Sequence, residues 1–396
     1  MRSGSTSVFI LSLGLALGAC GESNEPVNEN PNDSTPRATG RPATFLPLLR
    51  DGTHVSVIRG FNPPDSNVDP ILEERLQDAV DAGMKSVRIQ MDWADFEPSP
   101  GVYSSEDLDE RLDDFEAQGL QVLMSAYAID SSGPVMPEDL QNRVLAGERI
   151  DSEEVLGRYT RFLRWLAAEL RGRDVWGLLI TNEPGPWFDD DGRDSTEYVN
   201  FYRESVAAVH AVHPELAVSA THTKSEATVT PEKFHAATMR ELDFASFNYY
   251  AGTIDFTTTG NPTGDTGTGR AAVLKAFEEL QAASDGKQFI VQELGAPAGY
   301  TDQPSTIGAS PETQREFYEN AIAVAGELDR ARAVYSFQLV DWSEFLLDGQ
   351  RALLEGVDSG FVEAYIESLG TIGLVTEAGE ERPAWQEFLD GVRDQR

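Results

Sequence analysis

The sequence predicts an α/β chain folded as a single-domain (β/α)8 TIM barrel, and three observations carry that expectation. From about Thr44 onward, short runs rich in β-branched residues alternate with amphipathic helical stretches. This is the pattern of parallel strands that each need a helix to return the chain. Eight such runs can be marked, the number a closed barrel requires. No Gly-rich phosphate loop follows any of them, as an open doubly wound sheet with a nucleotide site would show.

The runs lie at about His54–Gly60, Ser86–Met91, Leu120–Ala126, Val175–Thr181, Leu216–Thr221, Asp243–Tyr249, Gln288–Glu293 and Ala333–Leu339, each bounded by turn residues or a helix. Between them, Asp69-Pro70 reads as N-cap and first helical residue of a helix that stops at Gly83. The segment Ser152–Arg171 puts Val155, Leu156, Tyr159, Phe162, Leu163, Leu166 and Leu170 on one stripe before Gly172, so it is a core helix. Ser310-Pro311 repeats the start signal ahead of a helix from Glu312 to Leu328. Two long connections, Thr253–Gly269 and Ser343–Thr371, are expected as loops. Both leave the C-terminal ends of strands, the face on which barrel enzymes keep their active sites.

Ahead of the barrel, residues 1–19 carry Arg2, an apolar run from Val8 to Leu17, and Gly18-Ala19, the layout of an export signal. The run is too short for a permanent span. Leu17-Gly18-Ala19-Cys20 resembles the bacterial lipobox, which implies that cleavage leaves Cys20 as the site of lipid attachment. Residues 20–43 are rich in Asn, Glu, Pro, Ser and Thr and bury too little apolar surface to order themselves, so they read as a tether to a domain at 44–396. Gly21 stands where an Asp commonly signals inner-membrane retention, which points to an exported protein on the outer membrane.

Composition narrows the partners. The 396 residues hold 31 basic and 67 acidic side chains, a formal charge of −36, which repels nucleic acid and anionic lipid. Membrane contact is therefore expected through the lipid anchor only. A single Cys excludes an intramolecular disulfide and a Cys-based metal site. No Gly-x-Ser-x-Gly elbow and no His-Glu-x-x-His helix occurs, so serine-hydrolase and zinc-protease chemistry have no support. His210 and His213 share a helix face but lack a third ligand, and no metal or other cofactor is expected.

Two strands end in a glutamate: Ile180-Thr181-Asn182-Glu183-Pro184 closes the fourth run and Ile290-Val291-Gln292-Glu293 closes the seventh. A carboxylate at the end of an apolar strand is costly to bury and needs partners or a task. Facing each other across a barrel mouth, two such groups suit glycosidic cleavage, which needs a proton donor on the leaving oxygen and a carboxylate on the opposite side of the sugar.

These residues resemble the clan A retaining glycosidases with (β/α)8 barrels. Asn182-Glu183-Pro184 is similar to the clan's Asn-Glu-Pro signature. The resemblance implies that Glu183 is the acid/base, that Asn182 bonds the sugar 2-hydroxyl and that Glu293 is the nucleophile. Val87-Arg88-Ile89 resembles family five, where the Arg steadies the nucleophile. Phe247-Asn248-Tyr249-Tyr250 resembles the Asn-Tyr-Tyr of family one and the His-x-Tyr of family five, and it implies a hydrogen bond from Tyr250 to the nucleophile. Asn248 stands where family five has His. Trp342 resembles the clan's stacking Trp, with Phe337 as the alternative alignment. The segment Met91 to Tyr103 is similar to families thirty-nine and forty-two. Trp187 and Trp93 offer further flat faces for sugar rings, and His222, after the fifth strand, is a candidate substrate contact.

The expectation is a retaining β-glycoside hydrolase acting on a glycan by double displacement, with carboxyl groups roughly 5 Å apart. A glycan-binding lipoprotein without turnover and a transglycosylase are its rivals.

Overall fold

The computed structural model describes residues 54–59, 69–131, 133–185, 187, 195–229, 235–251, 267–299, 308–354 and 359–394. The signal, Cys20 and the tether lie outside these, as does most of the Thr253–Gly269 connection.

Eight strands form the barrel: β1 (His54–Arg59), β2 (Ser86–Asp92), β3 (Gln121–Asp130), β4 (Val175–Asn182), β5 (Ala217–Thr223), β6 (Ala245–Tyr250), β7 (Phe289–Gly295) and β8 (Ala331–Ser336). Each pairs in parallel with the next, and β8 pairs back onto β1, Val57 opposite Ser336, so the sheet closes. Each strand overlaps the run the sequence marks, the eighth ending at Ser336 rather than Leu339. The third runs further than expected, to Asp130, because Tyr127-Ala128-Ile129 continues the buried run and folds back on a two-residue strand, Gly133–Pro134.

Strand side chains alternate between two cores. Val87, Ile89 and Met91 of β2 face outward and pack under the helices. Leu123, Trp176, Leu179, Phe244, Ile290 and Tyr335 fill the barrel itself. Burying such side chains contributes about 1.5–3 kcal/mol each, and the polar groups among them are paired: Ser86 Oγ meets Tyr335 OH at 2.8 Å.

The helix Glu153–Glu169 starts at Ser152, whose Oγ accepts from the Val155 N–H at 3.3 Å, and the chain leaves it through Gly172 at φ 80°. Ser310 and Pro311 open the helix Pro311–Glu327 as expected. The connection Ser343–Thr371 departs from expectation. It folds as two helices, Glu344–Leu353 and Ser359–Gly370, whose Leu346, Leu347, Val362, Tyr365, Ile366 and Leu369 extend the inner core over the C-terminal mouth. Arg382 clamps the start of this lid, donating from both terminal nitrogens to the Asp341 carboxylate at 2.7 Å inside the protein. Among the described residues no helix is long and apolar enough to cross a membrane.

Candidate active site

The C-terminal strand ends depart from regular alternation, and the departures build the site. Register shifts fall between Leu179 and Asn182 on β4, Phe247 and Asn248 on β6, and Val291 and Leu294 on β7. Such bulges re-aim side chains, and the consecutive Gln292 and Glu293 both bond groups inside the barrel. Carbonyls near these irregularities are met by tyrosines of the helix layer. Tyr159 OH donates to the Ala126 and Ile180 carbonyls, and Tyr318 OH donates to Leu294 O at 3.0 Å. Glu183 itself sits at φ 42°, a left-handed conformation unusual for a side-chain-bearing residue. It is held there by its N–H donating to Thr221 O at 2.9 Å.

One hydrogen-bonded chain joins the two glutamates. Asn248 donates Nδ2 to Glu183 Oε1 at 2.7 Å, and its Oδ1 accepts from Gln292 Nε2 at 2.6 Å. Gln292 Nε2 also lies 2.9 Å from Glu293 Oε1. Asn182 accepts from both amides at 3.2 Å and donates to Asp130 Oδ1 at 2.9 Å. On the far side, Arg88 reaches Glu293 Oε1 at 3.4 Å, and Tyr250 OH donates to Glu293 Oε2. Arg88 is fully buried and also donates to Ser125, Gln90 and Tyr127.

The two carboxyls do not sit in equal surroundings. Burial pushes Glu183 well above the usual carboxylate range, the Glu293 charge pushes further, and the Asn248 hydrogen bond opposes both. Burial raises Glu293 too, and although Arg88, Tyr250 and Gln292 oppose it the net rise is to about 7. The proton therefore rests on Glu183 while Glu293 ionises first. Burial, with the nearby Glu293 charge, raises the Tyr250 hydroxyl well above its ordinary value, so it stays a donor.

Six of the residues singled out from sequence thus converge: Glu183, Glu293, Arg88, Asn182, Asn248 and Tyr250. Three others lie elsewhere. His222 is fully buried on the helix-facing side of β5, its ring edge-on to His235 at 4.7 Å, because Thr221 takes the inward position. Burial lowers its pKa well below the usual imidazole value. Trp93 packs in the outer core against Tyr159 and Phe162 and donates to Glu97 at 2.6 Å. His210 bonds Asp243 at 2.9 Å, and no group of three His, Cys, Asp or Glu side chains suited to a metal occurs among the described residues. At the end of β8, Phe337 lies edge-on to Tyr250 at 5.5 Å, and Trp342 lies one ring further, 6.5 Å from Phe337. Trp187 packs over Gly133 of the short hairpin.

Sequence reasoning missed Gln292, Gln90, Asp92, Asp130 and Tyr365. Gln90 and Asp92 follow Arg88 at every second position of β2, a period that marks one face and was there to be read. Tyr365 comes from the lid, and the charges of both glutamates add to burial in raising its hydroxyl. Among the described residues, Gln338 Nε2 and Trp342 Nε1 at the end of β8 are buried without a hydrogen-bond partner.

No family model and no curated protein matches the chain. Solved structures do. A GH5_18 enzyme variant from Streptomyces cattleya, in complex with Manβ1-4GlcNAc, superposes with a TM-score of 0.65 at 18% identity, over 87% of this chain and 81% of that one. An exo-β-1,4-mannosidase from Opitutaceae bacterium strain TAV5 gives 0.61 at 15%, over 86% and 59%. A family 39 glycoside hydrolase from Bacteroides cellulosilyticus WH2 gives 0.57 at 15%, over 87% and 64%. At these identities the likeness establishes the fold, a barrel shared with glycoside hydrolases.

Proposed function

We propose that the chain is a retaining β-glycoside hydrolase in which Glu183 is the acid/base and Glu293 the nucleophile. The observation that carries this is the unequal pair: two strand-end glutamates joined through Asn248 and Gln292, with Arg88 and Tyr250 on Glu293 alone. In the first step the Glu293 carboxylate attacks the anomeric carbon as the Glu183 proton passes to the departing glycosidic oxygen. In the second, water attacks that carbon, gives its proton to Glu183, and the ester bond to Glu293 breaks. Asn182 faces the same space and supplies the amide that holds the sugar 2-hydroxyl. The names of the structural neighbours put β-mannosides first among substrates to try.

Replacing either glutamate by Ala tests this on aryl β-glycosides. Each variant is expected to lose about 10³-fold or more in turnover with its fold intact. Azide should rescue Glu183→Ala to a β-glycosyl azide and Glu293→Ala to the α-anomer. Near-wild-type turnover in either variant overturns the assignment. Glycan binding without turnover in the wild type identifies a capture protein instead, and acceptor-dependent products identify a transglycosylase. We also propose, from Cys20 alone, that the protein is exported and lipid-anchored to a membrane. Cys20→Ser should move it to the soluble fraction, and continued membrane retention contradicts the anchor.

A further inference from the structure

Three amide side chains stand between the two glutamates, and an amide has two unlike ends: its oxygen only accepts and its nitrogen only donates. Which end each one presents follows from the groups at the margins of the cluster. Arg88 reaches Glu293 Oε1 at 3.4 Å and has only N–H groups to offer, so that oxygen is an acceptor. Gln292 lies 2.9 Å from the same oxygen and must therefore present Nε2. The opposite turn would set its Oε1 against a carboxylate oxygen. Nε2 also meets Asn248 at 2.6 Å, so Asn248 must present Oδ1 there, and its Nδ2 is left facing Glu183 Oε1 at 2.7 Å.

A second margin gives the same answer independently. Asp130 Oδ1 accepts the Ser131 backbone N–H at 2.7 Å, so Asn182, 2.9 Å away, turns its Nδ2 toward it. Asn182 Oδ1 then faces the cluster, 3.2 Å from both Asn248 Nδ2 and Gln292 Nε2. All three amides are buried, so bulk water does not compete for these orientations. The consequence falls on Glu183. A proton on its Oε1 would point at a second donor, the Asn248 amide, so the acid proton belongs on Oε2.

We propose that Gln292 is a positioning residue: by fixing which way Asn248 faces, it keeps Glu183 Oε1 an acceptor and confines the acid proton to Oε2, from which it passes to the leaving oxygen. The chemistry rests on the glycosidase reading, but the place of the proton can be seen without turnover. Removing the Gln292 amide orphans Asn248 Oδ1 inside the protein, an unfavourable state that a half-turn of Asn248 relieves by accepting the Glu183 proton. That proton is then withheld from substrate, and the neutral form of Glu183 gains a hydrogen bond, so its pKa rises. Other effects act downward. Loosening that merely admits water lowers Glu183 toward the ordinary carboxylate range, and a Glu293 that ionises less readily pushes less on it. Among the described residues the titratable groups facing Glu183 are Glu293, Glu226, Asp130, Tyr250 and Tyr365, and the substitution removes none of them.

Neutron diffraction from wild-type crystals in heavy water, at a pH between the two carboxyl titrations, should show deuterium on Glu183 Oε2 and the Asn248 amide nitrogen facing Oε1. Deuterium on Oε1, or the Asn248 oxygen facing it, would overturn the proposal. Gln292→Met keeps the length of the side chain without its amide. It should raise the upper carboxyl titration by about one pH unit, a tenfold shift in proton affinity, read by carboxyl-carbon NMR and assigned by its loss in Glu183→Gln. In kcat/KM it should slow phenyl β-mannoside at least about tenfold more than 2,4-dinitrophenyl β-mannoside, because the poorer leaving group needs the acid while both need Glu293. With Asn248→Leu already present, adding Gln292→Met should widen that gap no further. An unchanged or lowered upper titration, equal slowing of both mannosides, or a gap that widens again in the double variant would also overturn it. Should thermal melts show that Gln292→Met does not fold, the neutron result decides. A wild type that hydrolyses neither mannoside, with deuterium still on Oε2, counts against the hydrolase reading and leaves this one standing.

Discussion

Arg88→Met should narrow the pH range of activity from its acid side. At 3.4 Å, two unit charges in an effective dielectric of about 20 attract by about 5 kcal/mol, which corresponds to about 3.6 pH units. The guanidinium charge is spread over three nitrogens, and Tyr250 and Gln292 still bond Glu293 in the variant. An upward move of about 1–3 pH units is therefore expected. The sign follows from the roles: the ionised Glu293 attacks, so anything that raises its pKa removes nucleophile at a given pH. Starting from about 7, the acid limb of kcat/KM should climb to about 8–10, and activity at pH 6 should fall about 10- to 1000-fold. The assay is a kcat/KM profile from pH 4 to 10 on the best aryl glycoside. Arg88→Lys serves as a second variant that keeps a charge and should recover part of the acid limb. Thermal melts guard against collapse, because Arg88 also ties β2 to β3. An acid limb left in place in both folded variants would refute the view that Arg88 keeps Glu293 ionised.

Two further outcomes test the scaffold. A Cβ on Gly295 would stand 2.7 Å from the Phe337 carbonyl oxygen and 3.0 Å from the Tyr250 ring, so Gly295→Ala should cost about 1–3 kcal/mol of stability in urea unfolding. It should also lower kcat by displacing Tyr250 from Glu293; unchanged kcat and stability would contradict the close packing. Arg382→Met leaves the buried Asp341 carboxylate without its charged partner, though the Gly373 N–H still donates to it, and should cost about 3–5 kcal/mol. Loosening of the lid should then raise KM before global unfolding, and a variant as stable as the wild type would show that the clamp is dispensable.

Much of this fold was legible because a barrel strand has a strong local signature. Val87, Ile89 and Met91 outline β2 by their spacing alone, and Ser310-Pro311 announces its helix. Glu183 and Glu293 stood out because a carboxylate closing an apolar run has no cheap structural excuse. Gln292 did not, since simple alternation sends neighbours of Glu293 the other way, and only the bulge on β7 brings both inside. His222 illustrates the reverse error. Being after the right strand was not enough, because Thr221 holds the inward position and His222 faces His235. The segment Ser343–Thr371 reads as loop, yet it forms two helices whose Leu346, Leu347 and Ile366 are buried on the barrel core, a tertiary contact that local sequence does not announce. Tyr365 reaches the site only through that tertiary packing, which no local pattern encodes.

The most direct test is to trap the intermediate. A 2-deoxy-2-fluoro glycosyl fluoride of the preferred sugar should inactivate the wild-type protein with one covalent label, and peptide mass spectrometry should place that label on Glu293, with Glu183 unmodified. A label on a different residue, or inverted product released without any adduct, would contradict double displacement through Glu293.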